Sequence, residues 1–89
     1  MLEVVYRAGF KRDLKLASTR GLETSFLQDA IMCLMQEKPL PERFHDHALS
    51  GNWQGFRGCH IRPDWLLIYR IENGKLWLVR TGTHSDLFR

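Results

Sequence analysis

The sequence predicts an α+β fold in which two N-terminal helices pack on one face of a small, antiparallel-rich β-sheet. Apolar residues recur at helical spacing between residues 10 and 35, and from residue 55 onward short apolar runs are separated by turn signals. The strongest of these signals is Asn73-Gly74, because both residue types tolerate the positive φ that a type I′ turn requires. At 89 residues the chain has room for one core, so we expect a single domain spanning residues 1–89.

The first half of the chain predicts one strand and two helices. Residues 2–6 (LEVVY) are apolar and β-branched, which favours a strand. Apolar residues at three- and four-residue spacing, beginning at Phe10, predict a first helix that ends near residues 19–21. Residues 23–37 carry a stronger apolar stripe and predict a second helix. Two consecutive helices with a shared apolar side need a sheet to cover.

The second half predicts a long connection and a three-stranded meander. Residues 38–52 contain two prolines and a polar stretch without periodicity, and a connection of this length in a compact domain is often functional. Strands are expected over residues 55–62, 65–71 and 76–83. The middle strand is apolar at nearly every position, which is typical of a strand buried on both faces.

Tight turns on both sides of the middle strand predict its register. His60 is expected opposite Leu67, and Leu67 opposite Arg80, so that His60 and Arg80 share one face of the sheet, which is left open. The other face, beneath the helices, is expected to hold Cys59, Ile61, Leu66, Ile68, Trp77 and Val79.

Composition excludes several classes of protein. The hydrophobic share of 44% with 26% charged residues is that of a globular domain. No apolar run approaches the roughly 20 residues of a membrane-spanning helix, and no signal-peptide pattern opens the chain, so we expect no membrane partner and a cytoplasmic location. Two cysteines do not suggest a disulfide framework. The net charge of +3 permits an anionic partner without naming one.

Histidines are the strongest chemical signal. All four lie in the second half of the chain, and imidazoles that converge with a carboxylate make a general acid and base set at neutral pH. The candidates are His47, His60, Asp64 and His84. A lone histidine is more often structural, but these lie on a loop, a strand, a turn and a strand end. A zinc site at His45, His47, His60 and Asp64 is the competing chemistry, yet the spacing fits no closed zinc template, so we expect no metal and no cofactor.

Other residues suggest contacts to RNA. Arg80 offers a forked guanidinium to a phosphate oxygen, and Trp65 and Phe88 offer rings that stack on a base. The alternatives are a core position for Trp65 and a purely structural role for Phe88. Three basic residues of the first helix form a candidate contact for RNA or the ribosome, with a solvated surface as the alternative. We call them the α1 basic face: Lys11, Arg12 and Lys15.

Three segments together resemble the YafQ branch of the RelE/ParE toxin superfamily, which comprises bacterial type II toxin–antitoxin endoribonucleases. They are YRAGFKRDLKLASTRG, HDHALSGNWQGFRGCHIRPDWLLIYRI and LVRTGTHSDLF, and the likeness covers essentially the whole chain. The resemblance implies a compact RelE-like fold, cleavage of mRNA in the ribosomal A site, and a cognate antitoxin bound as a heterodimer or heterotetramer. His45 is not demanded by the family pattern.

The resemblance also implies residue roles and a chemistry without metal. By position, His47, His60, Asp64 and His84 match the acid and base residues of the family. Arg80 and Phe88 match residues that steady the phosphate and the nucleotide, and Trp65 follows the matching aspartate. The expected reaction is attack of a ribose 2′-OH on the adjacent phosphorus, with the choice of acid and base left open. Two alternatives are a ParE-like toxin directed at gyrase and a non-catalytic module that binds RNA or antitoxin.

Overall fold

The computed structural model describes residues 1–88 and has the predicted α+β architecture. The elements, in chain order, are β1 (Glu3–Tyr6), α1 (Ala8–Thr19), α2 (Ser25–Met35), β2 (His47–Ala48), β3 (Arg57–Arg62), β4 (Trp65–Glu72), β5 (Lys75–Gly82) and α3 (His84–Leu87). The short helix α3 was not predicted, since four residues are too few to show a period. No helix within residues 1–88 is both long enough and apolar enough to span a membrane.

The five strands form one mixed sheet in the order β1-β5-β4-β3-β2. Every pair is antiparallel except β1 and β5, which run parallel, so the predicted antiparallel-rich sheet is confirmed. The predicted hairpin is also confirmed, because Asn73 and Gly74 have φ of 54° and 72° and connect β4 to β5.

Both helices pack on one face of the sheet, as predicted. Each helix directs its apolar stripe at this face, where the side chains of the strands are almost fully buried. The helices contribute Phe10, Ala17, Leu27, Ala30 and Leu34, and the strands contribute Cys59, Ile61, Trp65, Leu67, Tyr69, Leu76 and Leu78. This main core fixes the orientation of β3, β4 and β5, which carry His60, Trp65 and Arg80.

The predicted strand register is wrong at two points. His60 lies opposite Leu66, not Leu67, because the pairing of β3 and β4 shifts between His60 and Arg62. Arg80 lies opposite Ile68, because the pairing of β4 and β5 shifts between Ile68 and Tyr69. An extra residue in one strand moves every later partner by one position. Leu66 and Ile68 lie two residues apart, so His60 and Arg80 still share a face.

The assignment of apolar residues to faces is wrong in consequence. Cys59 and Ile61 pack beneath the helices as expected, but four others do not. Leu66, Ile68 and Val79 belong to a second cluster on the face of the sheet that carries His60, which we call the histidine face. Trp77 lies beside Val79 and Phe56. The second cluster includes Leu87 of α3 and is packed by Leu49, Trp53 and Phe56. The histidine face is therefore partly covered.

The long connection has local structure that its sequence does not show. It contains two 3-10 turns, Glu42–Phe44 and Gly51–Trp53, with β2 between them. Phe44 is 4% exposed and packs into the main core, which anchors the start of the connection. Elements of two or three residues leave no periodic signal, so this segment was predicted to lack structure.

Candidate active site

The structure brings all four histidines together at one end of the sheet. The ring of His60 is central, with its centroid 5.6 Å from that of His45, 6.2 Å from that of His47 and 5.6 Å from that of His84. His60 is half-buried and the other three are exposed. We call these four residues the histidine cluster. Three of these rings are open to solvent, so substrate atoms can reach them.

A capping box on α3 positions His84. Thr83 is the N-cap: its hydroxyl accepts the Asp86 backbone N–H at 3.2 Å, and its own N–H donates to Asp86 Oδ2 at 3.1 Å. Arg20 Nη1 donates to the same oxygen at 3.0 Å. The Thr83 N–H and the Arg20 guanidinium lower the pKa of Asp86, so the carboxylate of the capping box is fully charged at neutral pH.

Asp64 orients the His84 ring. Its Oδ1 accepts the backbone N–H of His84 at 3.2 Å and lies 3.2 Å from His84 Nδ1. These contacts, the backbone N–H first, lower the pKa of Asp64. An ionised carboxylate only accepts, so Nδ1 of His84 carries the proton in this pair. Asp64 and His84 are thus brought together as the sequence predicted.

Asp46 anchors the loop that carries two of the histidines. It lies between His45 and His47, and its carboxylate accepts from the Tyr69 hydroxyl and, at 3.1 Å, from Arg57 Nη2. Tyr69 is 1% exposed, and burial together with the Asp46 carboxylate raises the pKa of its phenol. Sequence analysis missed Asp46. The sequence did show a carboxylate between two histidines. A carboxylate in that position can anchor the loop as readily as it can act as a ligand.

The backbone of His45 fixes the His47 ring. His47 Nδ1 lies 2.7 Å from the carbonyl oxygen of His45, which places Nδ1–H on the donor side because a carbonyl only accepts. In the neutral ring, Nε2 then holds a free lone pair. His45 has a left-handed backbone with φ of 46°, a geometry that sequence does not reveal. The sequence-based site omitted His45, and the structure places both its ring and its carbonyl in the cluster.

Arg80 is held by α1. Its Nε donates to Asp13 Oδ2 at 2.6 Å and its Nη2 to Asp13 Oδ1 at 3.2 Å, while the Thr81 backbone N–H also donates to Oδ2. A Cβ at Gly9 would lie 2.9 Å from Arg80 Cδ, so the glycine makes room for the stem of the arginine. Asp13 raises the pKa of Arg80. The fork is thus oriented by Asp13, and Nη1 is outside the pair.

The two predicted stacking residues differ in position. Trp65 is 2% exposed in the main core, and its Nε1 donates to Thr81 Oγ1 at 2.8 Å. The prediction that Trp65 stacks on a base is wrong, because a buried ring has no free face. Phe88 is 39% exposed, and its ring centroid lies 5.8 Å from that of His84. Its contact with a nucleotide stays a prediction.

The α1 basic face is exposed along its length, and no ion pair involves it within residues 1–88. The same part of the chain contains no group of three or more His, Cys, Asp or Glu side chains arranged to hold a metal ion. Neither observation tests function. A role of the basic face in ribosome binding and a reaction without metal both stay predictions.

Comparison with known proteins identifies a family and several relatives. The model of a family described as the bacterial toxin of a type II toxin–antitoxin system, YafQ, matches residues 2–89. Over 87 residues the chain is 38% identical to the mRNA interferase toxin YafQ of Escherichia coli strain K12, covering 97% of this chain and 95% of that protein.

Two solved structures share the fold. The chain superposes on YafQ in a crystal structure of the E. coli DinJ-YafQ complex with a TM-score of 0.92, at 37% identity and complete coverage of both chains. It superposes on a metal-bound toxin from Helicobacter pylori with a TM-score of 0.93, at 39% identity, over 99% of this chain and 100% of that one.

Proposed function

We propose that this chain, which belongs to the YafQ family of bacterial type II toxin–antitoxin toxins, is a metal-independent endoribonuclease that cleaves mRNA in the ribosomal A site. The observation that carries the proposal is the histidine cluster, in which the ring centroid of His60 lies 5.6–6.2 Å from those of three other imidazoles and Asp64 holds the His84 ring. The mRNA interferase activity named for the E. coli relative supports the choice of substrate.

His47 is suited to act as the general base. Because its Nδ1–H points at the His45 carbonyl, the neutral ring presents Nε2 as a proton acceptor. Nε2 removes the proton from a ribose 2′-OH, and the 2′ oxygen forms a new bond to the adjacent phosphorus. The proton that leaves the sugar therefore ends on His47.

His84 is suited to act as the general acid. Asp64 stays ionised and accepts Nδ1–H, so in the protonated ring the proton on Nε2 is the one available for transfer. As the bond between phosphorus and the 5′ oxygen breaks, that proton passes to the leaving oxygen. The products are a 2′,3′-cyclic phosphate and a 5′-OH, and no water or metal is consumed in this step.

The remaining residues stabilise the reacting phosphate and hold the nucleotide. His60 lies between the acid and the base and can contact the phosphoryl oxygens. Arg80 can donate to the phosphate through the guanidinium edge that Asp13 does not occupy. Phe88 lies beside His84 with an exposed ring on which a base can stack.

The α1 basic face is the proposed contact with ribosomal RNA. Its three cations are exposed and free of ion pairs within the described residues, so phosphate contacts would release counterions without breaking an internal salt bridge. The E. coli relative was crystallised with DinJ. We propose a cognate antitoxin for this chain too, in a heterodimer or heterotetramer, that covers the α1 basic face or the histidine cluster. Because the proposed substrate is mRNA on ribosomes, we also propose that the toxin acts in the cytoplasm.

The test is cleavage on ribosomes programmed with a defined mRNA. The toxin is stripped with EDTA and freed of chelator before mixing, because ribosomes require Mg²⁺. We expect full activity and products that end in 2′,3′-cyclic phosphate and 5′-OH. Activity that returns only with an added transition metal, or products with 3′-OH and 5′-phosphate ends, would refute the mechanism. Absence of cleavage would favour the gyrase-directed or non-catalytic alternatives.

A further inference from the structure

A cleft beside the histidine cluster has no role in the reaction described above. It measures about 810 Å³ and begins at His45 and His60. From there it runs toward α2 and the 3-10 turn before β2, where its walls are Phe26, Phe44, Arg43 and Arg62. We call it the flanking cleft. Its volume lies within the range of about 300–1,000 Å³ found for small-molecule sites, so it can hold one nucleotide.

Each arginine of the flanking cleft lies over an aromatic ring. Cζ of Arg62 is 4.9 Å from the ring centroid of Phe26, and Cζ of Arg43 is 4.7 Å from that of Phe44. Phe44 is buried, whereas Phe26 is 39% exposed at the rim. A guanidinium held on a phenyl ring keeps its N–H donors for a phosphate and offers its outer face to a base.

The charge of these arginines is not neutralised by the protein. Arg20, Arg57, Arg70 and Arg80 each pair with a carboxylate. Within residues 1–88, no carboxylate lies within ion-pair distance of Arg43 or Arg62. The flanking cleft is therefore a positively charged extension of the histidine cluster, and the ligand that complements it is an anion with an aromatic part.

We propose that the flanking cleft binds the nucleotide adjacent to the scissile bond. The base stacks against the guanidinium on Phe26, and the neighbouring phosphate lies between Arg43 and Arg62. The inference rests on the proposed ribonuclease function, since it takes the reacting phosphate to lie at His60. A single strand that crosses the histidine cluster must continue along one of its sides, and this side offers both stacking and charge.

An acidic segment of an antitoxin is the other occupant that charge alone would allow. RNA is favoured because the cleft begins at two residues of the histidine cluster and because its cations are backed by aromatic rings. The carboxylates of an acidic segment would interact only with the positive charge of the two arginines. A nucleotide would interact with the charge through its phosphate and would also stack its base, which a carboxylate cannot do.

The test compares the double variant Arg43→Gln/Arg62→Gln with the wild type on mRNA-programmed ribosomes. The control is Arg70→Gln, which removes an arginine that also lies over a ring, 5.5 Å from the centroid of Phe56, outside the flanking cleft. We expect KM of the double variant to rise roughly tenfold or more, the lower range for loss of a stacked base. Its kcat should match the wild type, because binding away from the reacting atoms is lost uniformly.

Two further readouts sharpen the test. The slope of log kcat/KM against log salt should become less steep by about 0.7 for each phosphate that the protein no longer neutralises. Phe26→Leu should weaken any preference for the base next to the cut, because the apolar volume remains and the ring face does not. Neither change is expected in Arg70→Gln.

The outcomes separate this inference from the function on which it rests. If the wild type cleaves and the double variant has the KM and salt slope of Arg70→Gln, the flanking cleft does not bind RNA, while the ribonuclease stands. If the double variant keeps its KM but loses affinity for the antitoxin, the cleft is a protein-binding site and the inference is overturned. A wild type that cuts no mRNA overturns the ribonuclease and this inference together.

Discussion

Removing the hydroxyl of Tyr69 tests how the loop that carries His45 and His47 is held in place. Tyr69→Phe deletes the donor that Asp46 accepts from the core, although Arg57 still reaches the carboxylate. Hydrogen bonds to charged groups contribute roughly 1.5–3 kcal/mol, and the Asp46 side chain is 27% exposed, so the loss belongs near the lower end of that range. For a domain of this size, about 1.5 kcal/mol lowers Tm by roughly 6–12 °C.

Activity should fall as well, at a temperature where both proteins are folded. Asp46 fixes the segment between His45 and His47, so a looser anchor moves the proposed base away from the 2′-OH. Misplacement by about 1 Å can cost up to 10²-fold, and we expect a loss of kcat of about tenfold or more. Tyr6→Phe is the control, because Tyr6 is 50% exposed and far in sequence from the loop.

The pH dependence of stability gives an independent check. The folded-state pKa of Tyr69 is raised by burial and by Asp46. Its contribution is therefore complete below the unfolded pKa of about 10 and is lost as pH rises through the folded value. The free energy of unfolding of the wild type should approach that of Tyr69→Phe above about pH 10. Equal Tm and equal kcat for wild type, Tyr69→Phe and Tyr6→Phe would refute the anchor.

Three more perturbations address other parts of the molecule. Arg80→Lys keeps the charge but loses the two-point contact with Asp13, so we expect lower kcat and lower Tm; unchanged values would mean that only charge, or nothing, is used. Reversing the α1 basic face to Glu at all three positions should weaken ribosome association and flatten its salt dependence, whereas unchanged binding would identify a solvated surface. Cys59 is 0% exposed, and burial raises the pKa of its thiol to about 12, so a thiol reagent at pH 8 should modify Cys33 first and Cys59 only on unfolding.

The sequence predicted the elements better than their faces. Periodicity located both main helices, and Asn73-Gly74 located the hairpin, because these signals are local. The shifts near His60 and near Ile68 leave no such signal, since any residue type can form the extra position of a bulge. Faces counted through a bulge are inverted beyond it, which is why Leu66 and Ile68 were placed beneath the helices.

The sequence predicted the residue types that form the candidate site, but not the contacts that hold them in place. Histidine type and position were enough to suggest that His47, His60 and His84 meet, and the structure brings them together. The contributions of His45 and Asp46 depend on a left-handed residue and on a contact across the sheet, which sequence spacing does not encode. Trp65 was misjudged because an indole suits a core and a stacking platform equally well.

Single-turnover cleavage by His84→Ala tests most directly whether the histidine cluster performs the reaction. His84 is exposed and follows the last strand, so the substitution should leave Tm nearly unchanged. Loss of one acid or base group should reduce the cleavage rate on programmed ribosomes by about 10²-fold or more. A folded His84→Ala protein that cleaves at nearly the wild-type rate would contradict the account.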